Sequence, residues 1–171
     1  MLTIGISVEV PEPFGSFLQD ARQAFGDPLA RAIPAHITLL PPTLIREEEA
    51  AEVGAHLREV AAAYRPFEVE LRGTGTFRPV SPVVFVAVHR GAAQCAALEA
   101  AIRTGPLARP VDFPYHPHVT IAHHIEESAL TRAQEQLADF RALFACSAIH
   151  LYHHGGDETW RPVEAFELRG A

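Results

Sequence analysis

Lysine is absent from this chain, and all 14 of its basic residues are arginine. An enzyme that works through a covalent lysyl-nucleotide therefore has no nucleophile here. A Walker A loop, which places a lysine beside the phosphates of a bound nucleotide, is missing for the same reason. The sequence thus excludes these two lysine-dependent routes to ATP-driven chemistry.

Cysteine is scarce, and long hydrophobic runs are lacking. Cys95 and Cys146 are the only cysteines, so no disulfide framework is indicated and a cytoplasmic location is expected. No run of about 18 apolar residues is present, which argues against a transmembrane helix. The N-terminal segment alternates like a strand and carries no basic residue, unlike a signal peptide. We therefore expect no membrane partner.

Basic residues are fewer than acidic ones, 14 against 21, which gives a net charge of −7. This balance argues against a protein that coats nucleic acid through its overall field. A small phosphate ester or an RNA end, held in a locally positive pocket, remains compatible with it. A length of 171 residues suits a domain that buries a core without disulfides or metals. We expect one bilobal domain over residues 1–171, acting as a monomer.

A tetrapeptide of histidine, an apolar residue, threonine and a second apolar residue occurs twice. The first copy is His36-Ile37-Thr38-Leu39, and the second is His118-Val119-Thr120-Ile121. Each copy has a proline one or two residues upstream and lies in its own half of the chain. A half-buried strand explains either copy alone, but the matched pair favours a shared function.

The spacing within each copy places the histidine and the threonine on one face of a strand. Because alternate side chains of a strand point to opposite faces, His36 and Thr38 lie on the same side, about 7 Å apart. His118 and Thr120 are related in the same way. The apolar residues that alternate with them point to the other face, where they can pack into a core.

Two histidines on two similar strands suit phosphodiester cleavage without a metal. One imidazole takes a proton while the other gives one. The hydroxyls of Thr38 and Thr120 can hold the non-bridging oxygens as their charge grows. We therefore predict His36, His118, Thr38 and Thr120 as catalytic residues. The sequence leaves open which histidine is the base.

Hydrophobic periodicity predicts alternating strands and helices in both halves of the chain. The predicted strands cover residues 2–10, 35–40, 67–72, 83–88, 117–123, 147–153 and 162–168, and the first motif strand stops at Pro41-Pro42. The predicted helices cover residues 13–25, 46–64, 92–103 and 127–143. Because each half holds one motif strand, we predict an α+β fold of two pseudo-symmetric lobes. Each lobe is an antiparallel sheet with helices on its outer side, and the active cleft lies between the lobes.

The two motifs and their flanks resemble the two-histidine phosphoesterase superfamily, and within it the 2′-5′ RNA ligase and 2′,3′-cyclic phosphodiesterase branch. The segments that carry the resemblance are Pro34–Leu39 and Tyr115–Ile121. Membership implies a two-lobed α+β fold, no metal or other cofactor, and the opening of 2′,3′-cyclic phosphate ends of RNA or nucleotides. It also implies that the site can run backwards, joining such an end to a 5′-hydroxyl through a 2′-5′ linkage without ATP.

One position departs from the family's pattern. Members often carry an arginine shortly after the second motif, where this chain has His123 and His124. If that arginine neutralises phosphate, its role must fall here to a histidine or to Arg78. We also predict three substrate-binding residues: Phe77 to stack on a base, Arg78 to pair with phosphate, and Tyr115 to line the cleft. An ordinary loop with a buried phenylalanine explains Phe77 and Arg78 equally well.

Other functions stay open on the sequence alone. The same chemistry could act on 2′-5′ oligonucleotides or on a small cyclic-phosphate metabolite, and a non-catalytic RNA-end binding module is a further alternative. Seven of the ten histidines lie between residues 116 and 154, but no established metal-ligand spacing accompanies them, so no functional metal is expected. Tyr152 is a weaker candidate for the cleft, and Trp160 is expected to pack in the core or between the lobes.

Overall fold

Eight strands and four α-helices form the fold, and the structure, a computed structural model, describes all residues from Met1 to Ala171. The strands are β1 (Leu2–Glu9), β2 (His36–Ile45), β3 (Phe67–Thr76), β4 (Val83–Arg90), β5 (His118–His123), β6 (Arg141–Cys146), β7 (Ala148–His154) and β8 (Trp160–Glu167). The helices are α1 (Phe14–Ala24), α2 (Ala50–Ala63), α3 (Ala92–Ile102) and α4 (Glu127–Gln136). None of the helices has the length and hydropathy needed to cross a bilayer.

The strands form two antiparallel sheets of four, and a motif strand lies at one edge of each. The strand orders are β2-β1-β7-β8 and β5-β4-β3-β6. The two motif strands, β2 and β5, contact each other. Each is preceded by a strand and a helix and followed by a helix, as β1-α1-β2-α2 and β4-α3-β5-α4. The predicted α+β fold of two similar lobes, with the motif strands brought together, is confirmed.

The apolar residues of the motifs anchor both strands in one core. Ile37, Leu39, Val119 and Ile121 have no exposed surface and belong to a single apolar cluster drawn from both sheets. Burying each such side chain contributes roughly 1.5–3 kcal/mol. In addition, α1 packs against β5 and α3 packs against β2. Each lobe therefore braces the motif strand of the other, and the histidines and threonines project from the opposite faces.

The predicted helix over residues 127–143 is wrong in its second part. The helix ends at Gln136, and residues 141–146 form β6, paired with β3 from Arg72↔Arg141 to Phe67↔Cys146. Burial in this strand alternates, with Ala142, Phe144 and Cys146 inside. Leu143 and Ala145 hide that alternation in the sequence because they are apolar although exposed. Pairing with a distant strand, which no local pattern reveals, decides the structure here.

The first motif strand also does not stop at Pro41-Pro42. It continues to Ile45, with both prolines inside it. The register between β1 and β2 shifts between Ile4 and Ile6, opposite these prolines. Because β2 is an edge strand, and because its pairing with β1 is irregular here, the missing N–H groups of the two prolines remove few hydrogen bonds from the sheet.

Candidate active site

The two motif histidines are held in the same way. Nδ1 of His36 lies 2.8 Å from the carbonyl oxygen of Pro34, and Nδ1 of His118 lies 2.7 Å from that of His116. A carbonyl oxygen only accepts hydrogen bonds, so Nδ1 carries the proton in each neutral ring and Nε2 is the free basic nitrogen. Both sites therefore present the same tautomer, fixed by the backbone two residues upstream.

Their surroundings favour the neutral form of both imidazoles. Burial lowers the pKa of His36 to about 4, outweighing the opposing effect of the bond to Pro34, and the nearby positive charge of Arg22 and the His118 ring lower it further. Burial also lowers the pKa of His118, against the bond to the carbonyl of His116. An anionic phosphate held nearby would offset part of this desolvation and favour a proton on one ring.

The two motif threonines keep their hydroxyls free. Neither Thr38 nor Thr120 makes a side-chain hydrogen bond within the protein, and both line the same cavity. The hydroxyls of four other threonines donate to backbone carbonyls: Thr43, Thr74, Thr76 and Thr104. The motif hydroxyls are therefore available to a ligand.

The cavity has a volume of about 300 Å³. His36, Thr38 and Thr120 lie at its wall, so both motif strands contribute to it. From there it extends across the first sheet, over residues of β1 and β7, to Trp160 at the start of β8. The floor includes the buried Ser7, whose hydroxyl has no hydrogen-bond partner. The cavity thus joins the motif residues to a polar and aromatic surface.

His118 is not among the residues that line this cavity, and its ring lies in an aromatic cluster. The ring centroid of Phe77 is 4.9 Å from that of His118, at an interplanar angle of 89°. Phe85 lies 5.3 Å from His118 and 4.6 Å from Phe77. Phe77, predicted to stack on a base, therefore packs edge-on against the ring of His118.

Arg78, predicted to pair with phosphate, is fully engaged with other side chains. Its Nε donates to Thr76 (3.1 Å), its Nη1 to Glu127 (2.8 Å) and its Nη2 to Gln134 (2.8 Å). These bonds tie the loop after β3 to α4. Arg78 does not line the cavity, so the structure favours a role in holding α4 over contact with substrate.

Tyr115, predicted to line the cleft, connects the two motifs. Its hydroxyl donates to the backbone carbonyl of Thr38 at 2.8 Å. Burial raises the pKa of this phenol, so it keeps the proton that it donates. Tyr115 does not line the cavity and links the segment before the second motif to the first motif strand.

Arg22 and Trp160 are cavity residues that the sequence did not predict as site residues. Arg22 of α1 lines the cavity, and its Nε donates to the buried carboxylate of Asp27 at 2.7 Å. No motif in the sequence marks it. Trp160 also lines the cavity, whereas packing alone was expected. A Cβ at Gly5 would lie 2.7 Å from the indole, and a glycine inside a strand was the available signal of this close approach.

The histidines outside the motifs take separate positions. The rings of His123 and His124 stack with centroids 3.7 Å apart, and His154 packs on Trp160 at 4.9 Å. His123 lines the cavity, and burial lowers its pKa. No three histidine, cysteine or carboxylate side chains converge as a set of metal ligands.

The fold and the site define a class: a two-lobed α+β protein in which each lobe contributes one His-Thr strand, with His36, Thr38 and Thr120 lining a shared cavity. The sequence model of the 2′-5′ RNA ligase superfamily matches residues 10–158. The chain therefore belongs to the 2′-5′ RNA ligase superfamily, as the two motifs predict.

Relatives in the superfamily carry phosphoesterase names. The chain is 31% identical over 156 residues to a Bacillus pumilus (strain SAFR-032) protein provisionally named a phosphoesterase, covering 88% of this chain and 91% of that protein. It is 25% identical over 169 residues to BH1439 of Halalkalibacterium halodurans, which has the same provisional name, covering 98% of both. These relationships support general phosphoesterase activity for this chain.

Solved structures share the fold. E. coli LigT complexed with 3′-AMP superposes with a TM-score of 0.68 at 15% identity, covering 98% of both chains. TT0787 of Thermus thermophilus superposes with a TM-score of 0.64 at 23% identity, again over 98% of both chains. The two-lobed arrangement is therefore common to proteins with little sequence identity.

Proposed function

We propose that this chain, as one bilobal domain over residues 1–171, is a metal-independent phosphodiesterase that opens 2′,3′-cyclic phosphate ends of RNA or nucleotides. The observation that carries the proposal is the matched pair of imidazoles. Each has Nδ1 fixed on a backbone carbonyl and Nε2 free for proton transfer. The same site, run in reverse, would join such an end to a 5′-hydroxyl without ATP.

The reaction needs one proton taken and one proton given. A neutral Nε2 removes a proton from water, and the water oxygen attacks phosphorus. The bond from phosphorus to one ribose oxygen then breaks, and the second imidazole protonates that oxygen. The product is a phosphate monoester, and the two rings regain their starting states by proton exchange with solvent.

The electrostatics favour His36 as the base in this direction. Its pKa is lowered to about 4 by burial, with further lowering from Arg22 and His118, which favours the neutral form that a base needs. His118 also has a lowered pKa, but no arginine is among the groups that lower it. His118 is therefore the ring that takes up a proton beside the bound phosphate and serves as the acid.

The cavity suits a single nucleotide at the reacting end. Its volume of about 300 Å³ lies at the small end of the usual range for ligand sites. Trp160 and Tyr152 line the part away from the motif residues, where a base can stack or pack. E. coli LigT, which shares the fold, is solved with 3′-AMP and with phosphate, and we extend nucleotide binding to this chain.

The proposal is tested by a substrate panel in EDTA. It contains the four nucleoside 2′,3′-cyclic monophosphates, a short RNA with a 2′,3′-cyclic phosphate end, and a 2′-5′ linked dinucleotide. We expect turnover of the cyclic phosphates to a single monoester isomer. Turnover of the dinucleotide alone would move the substrate to linear 2′-5′ linkages. Binding without turnover of any substrate would contradict the enzymatic proposal and support an RNA-end binding module.

The pH dependence of kcat/KM follows from the two lowered pKa values. The base must be neutral, so kcat/KM rises with pH through the pKa of His36, about 4. The acid must be protonated, so kcat/KM falls as pH rises through the pKa of His118, which lies below its ordinary 6.5. Because kcat/KM reports the free enzyme, we expect a bell-shaped profile with its maximum between about pH 4 and 6.5.

The kcat profile provides an internal control. A bound phosphate anion raises the pKa of both imidazoles, so the kcat profile should lie at higher pH than the kcat/KM profile of the same preparation. Steady-state rates from about pH 4 to 9 in EDTA supply both profiles. A kcat/KM that keeps rising above about pH 6.5 would contradict a protonated histidine as the acid.

A further inference from the structure

The cavity beside the motif residues contains one permanent positive charge. Arg22 is the only arginine among the lining residues, and the chain has no lysine. The other basic groups in the wall are histidines, and burial lowers the pKa of two of them, His36 and His123. A phosphate group in this cavity near neutral pH therefore meets a single fixed cation.

The Arg22 side chain is held at one nitrogen and free at the others. Its Nε donates to Oδ2 of Asp27 at 2.7 Å, and the arginine side chain is 11% exposed. The two Nη groups make no hydrogen bond within the protein. A guanidinium has five N–H donors, so the four N–H groups of the two Nη atoms remain available to a ligand. Arg78, by contrast, has hydrogen bonds at all three nitrogens.

Asp27 fixes this guanidinium beside the second motif strand. Its Oδ2 also accepts a hydrogen bond from the backbone N–H of His123 at 2.9 Å, and its Oδ1 accepts one from Leu29 at 2.9 Å. His123 is the last residue of β5, three residues after Thr120. Arg22, which belongs to the first half of the chain, is thereby tied to the end of the strand that carries the second motif.

We infer that Arg22 binds the substrate phosphate, with its Nη groups donating to the non-bridging oxygens beside Thr38 and Thr120. The planar, bidentate geometry of a guanidinium matches a phosphate, and its charge strengthens each hydrogen bond. The same positive charge favours the neutral form of His36. The reaction that follows rests on the proposed function, whereas the phosphate contact does not depend on it.

Inorganic phosphate is the direct probe, titrated calorimetrically into the wild type and three variants. Arg22→Gln keeps a hydrogen-bond donor for Asp27 but removes the charge, and we expect phosphate affinity to fall by about tenfold or more. Arg22→Lys keeps the positive charge that pairs with the buried Asp27 but lacks the planar, bidentate guanidinium. We therefore expect its phosphate affinity to fall less than that of Arg22→Gln. Arg31→Gln is the matched control, because Arg31 is exposed and pairs with Asp20 at the surface; it should bind like wild type.

A second readout separates this role from a structural one. If Arg22 binds the substrate phosphate, Arg22→Gln should raise KM for the cyclic phosphate, and inorganic phosphate should inhibit the variant more weakly than the wild type. An ion pair that only holds Asp27 would lower Tm and leave KM and inhibition by phosphate unchanged. If Arg22→Gln fails to fold, as judged by circular dichroism and Tm, Arg22→Lys decides through its phosphate affinity.

The outcomes distinguish the inference from the proposed function. Wild-type affinity for phosphate in folded Arg22→Gln and Arg22→Lys would overturn the inference, as would a wild-type protein that does not bind phosphate. Arg22-dependent phosphate binding in a protein that leaves cyclic phosphates intact would support the inference and reject the proposed function.

Discussion

Alanine at His36 or at His118 is expected to lower kcat/KM for a 2′,3′-cyclic phosphate by at least about 10²-fold. Each imidazole is fixed by one nitrogen and presents the other for proton transfer. Without it, water must supply or accept the proton without a positioned partner. The loss should appear in kcat, because proton transfer takes place in the transition state and contributes little to ground-state binding.

The controls for this prediction are a histidine elsewhere and an activated substrate. His89→Ala removes an exposed imidazole at the end of β4 and should leave kcat/KM unchanged. A phosphodiester with a p-nitrophenolate leaving group needs no proton on departure, so it should partly rescue His118→Ala and not His36→Ala. Rescue of His36→Ala alone would reverse the assigned roles. Near-normal turnover of the cyclic phosphate in either alanine variant would contradict catalysis by that histidine.

Valine at Thr38 or Thr120 is expected to lower kcat by about 10- to 10²-fold. Valine has almost the same shape as threonine and suits a strand, so the change removes the hydroxyl and little else. Neither hydroxyl has a partner within the protein, and both threonines line the cavity. Each is therefore free to donate to a non-bridging oxygen, whose negative charge grows in the transition state.

Serine at the same positions tests whether the hydroxyl is the cause. Thr38→Ser and Thr120→Ser keep the donor and should retain most of kcat. Thr43→Val, on the same strand as Thr38, removes a hydroxyl that donates to the carbonyl of Pro41 and should leave kcat unchanged. Valine variants of the motif threonines within about twofold of wild type would contradict their role in charge stabilisation.

The motif strands could be predicted from the sequence because their information is local. Alternation separates Ile37 and Leu39 from His36 and Thr38, and the structure buries the first pair completely. The same holds for β5. Two similar motif strands, each with helices around it, are sufficient to predict the two lobes. The α+β class and the meeting of β2 with β5 followed from this duplication.

Other parts of the fold depend on pairing between distant segments. The hydrophobicity of residues 141–146 fits a helical pattern. In the structure they instead form β6, which pairs with the edge of β3. Proline usually ends a strand. Pro41 and Pro42 nevertheless lie inside β2, because β2 is an edge strand and its register with β1 is irregular at this point. Neither outcome is encoded within a short window of sequence.

The wall of the cavity was the least predictable part of the site. No sequence motif marks Arg22 or Asp27. Their place beside the second motif strand is set by tertiary hydrogen bonds, in which Asp27 accepts from Arg22 and from the backbone N–H of His123. Arg78 has the right chemistry for phosphate, but Glu127 and Gln134 of a distant helix engage it. Which of the 14 arginines faces the cavity depends on tertiary contacts.

The most direct test of the central claim is the turnover of a nucleoside 2′,3′-cyclic monophosphate in EDTA by the wild type and by a His36→Ala/His118→Ala double variant. We expect undiminished wild-type turnover in EDTA and near-background turnover in a folded double variant. We also expect the double variant to be not much slower than either single variant, because the two imidazoles act as a unit. Wild-type turnover that stops in EDTA and returns with a divalent metal, or appreciable turnover by the double variant, would contradict metal-free catalysis by the two histidines.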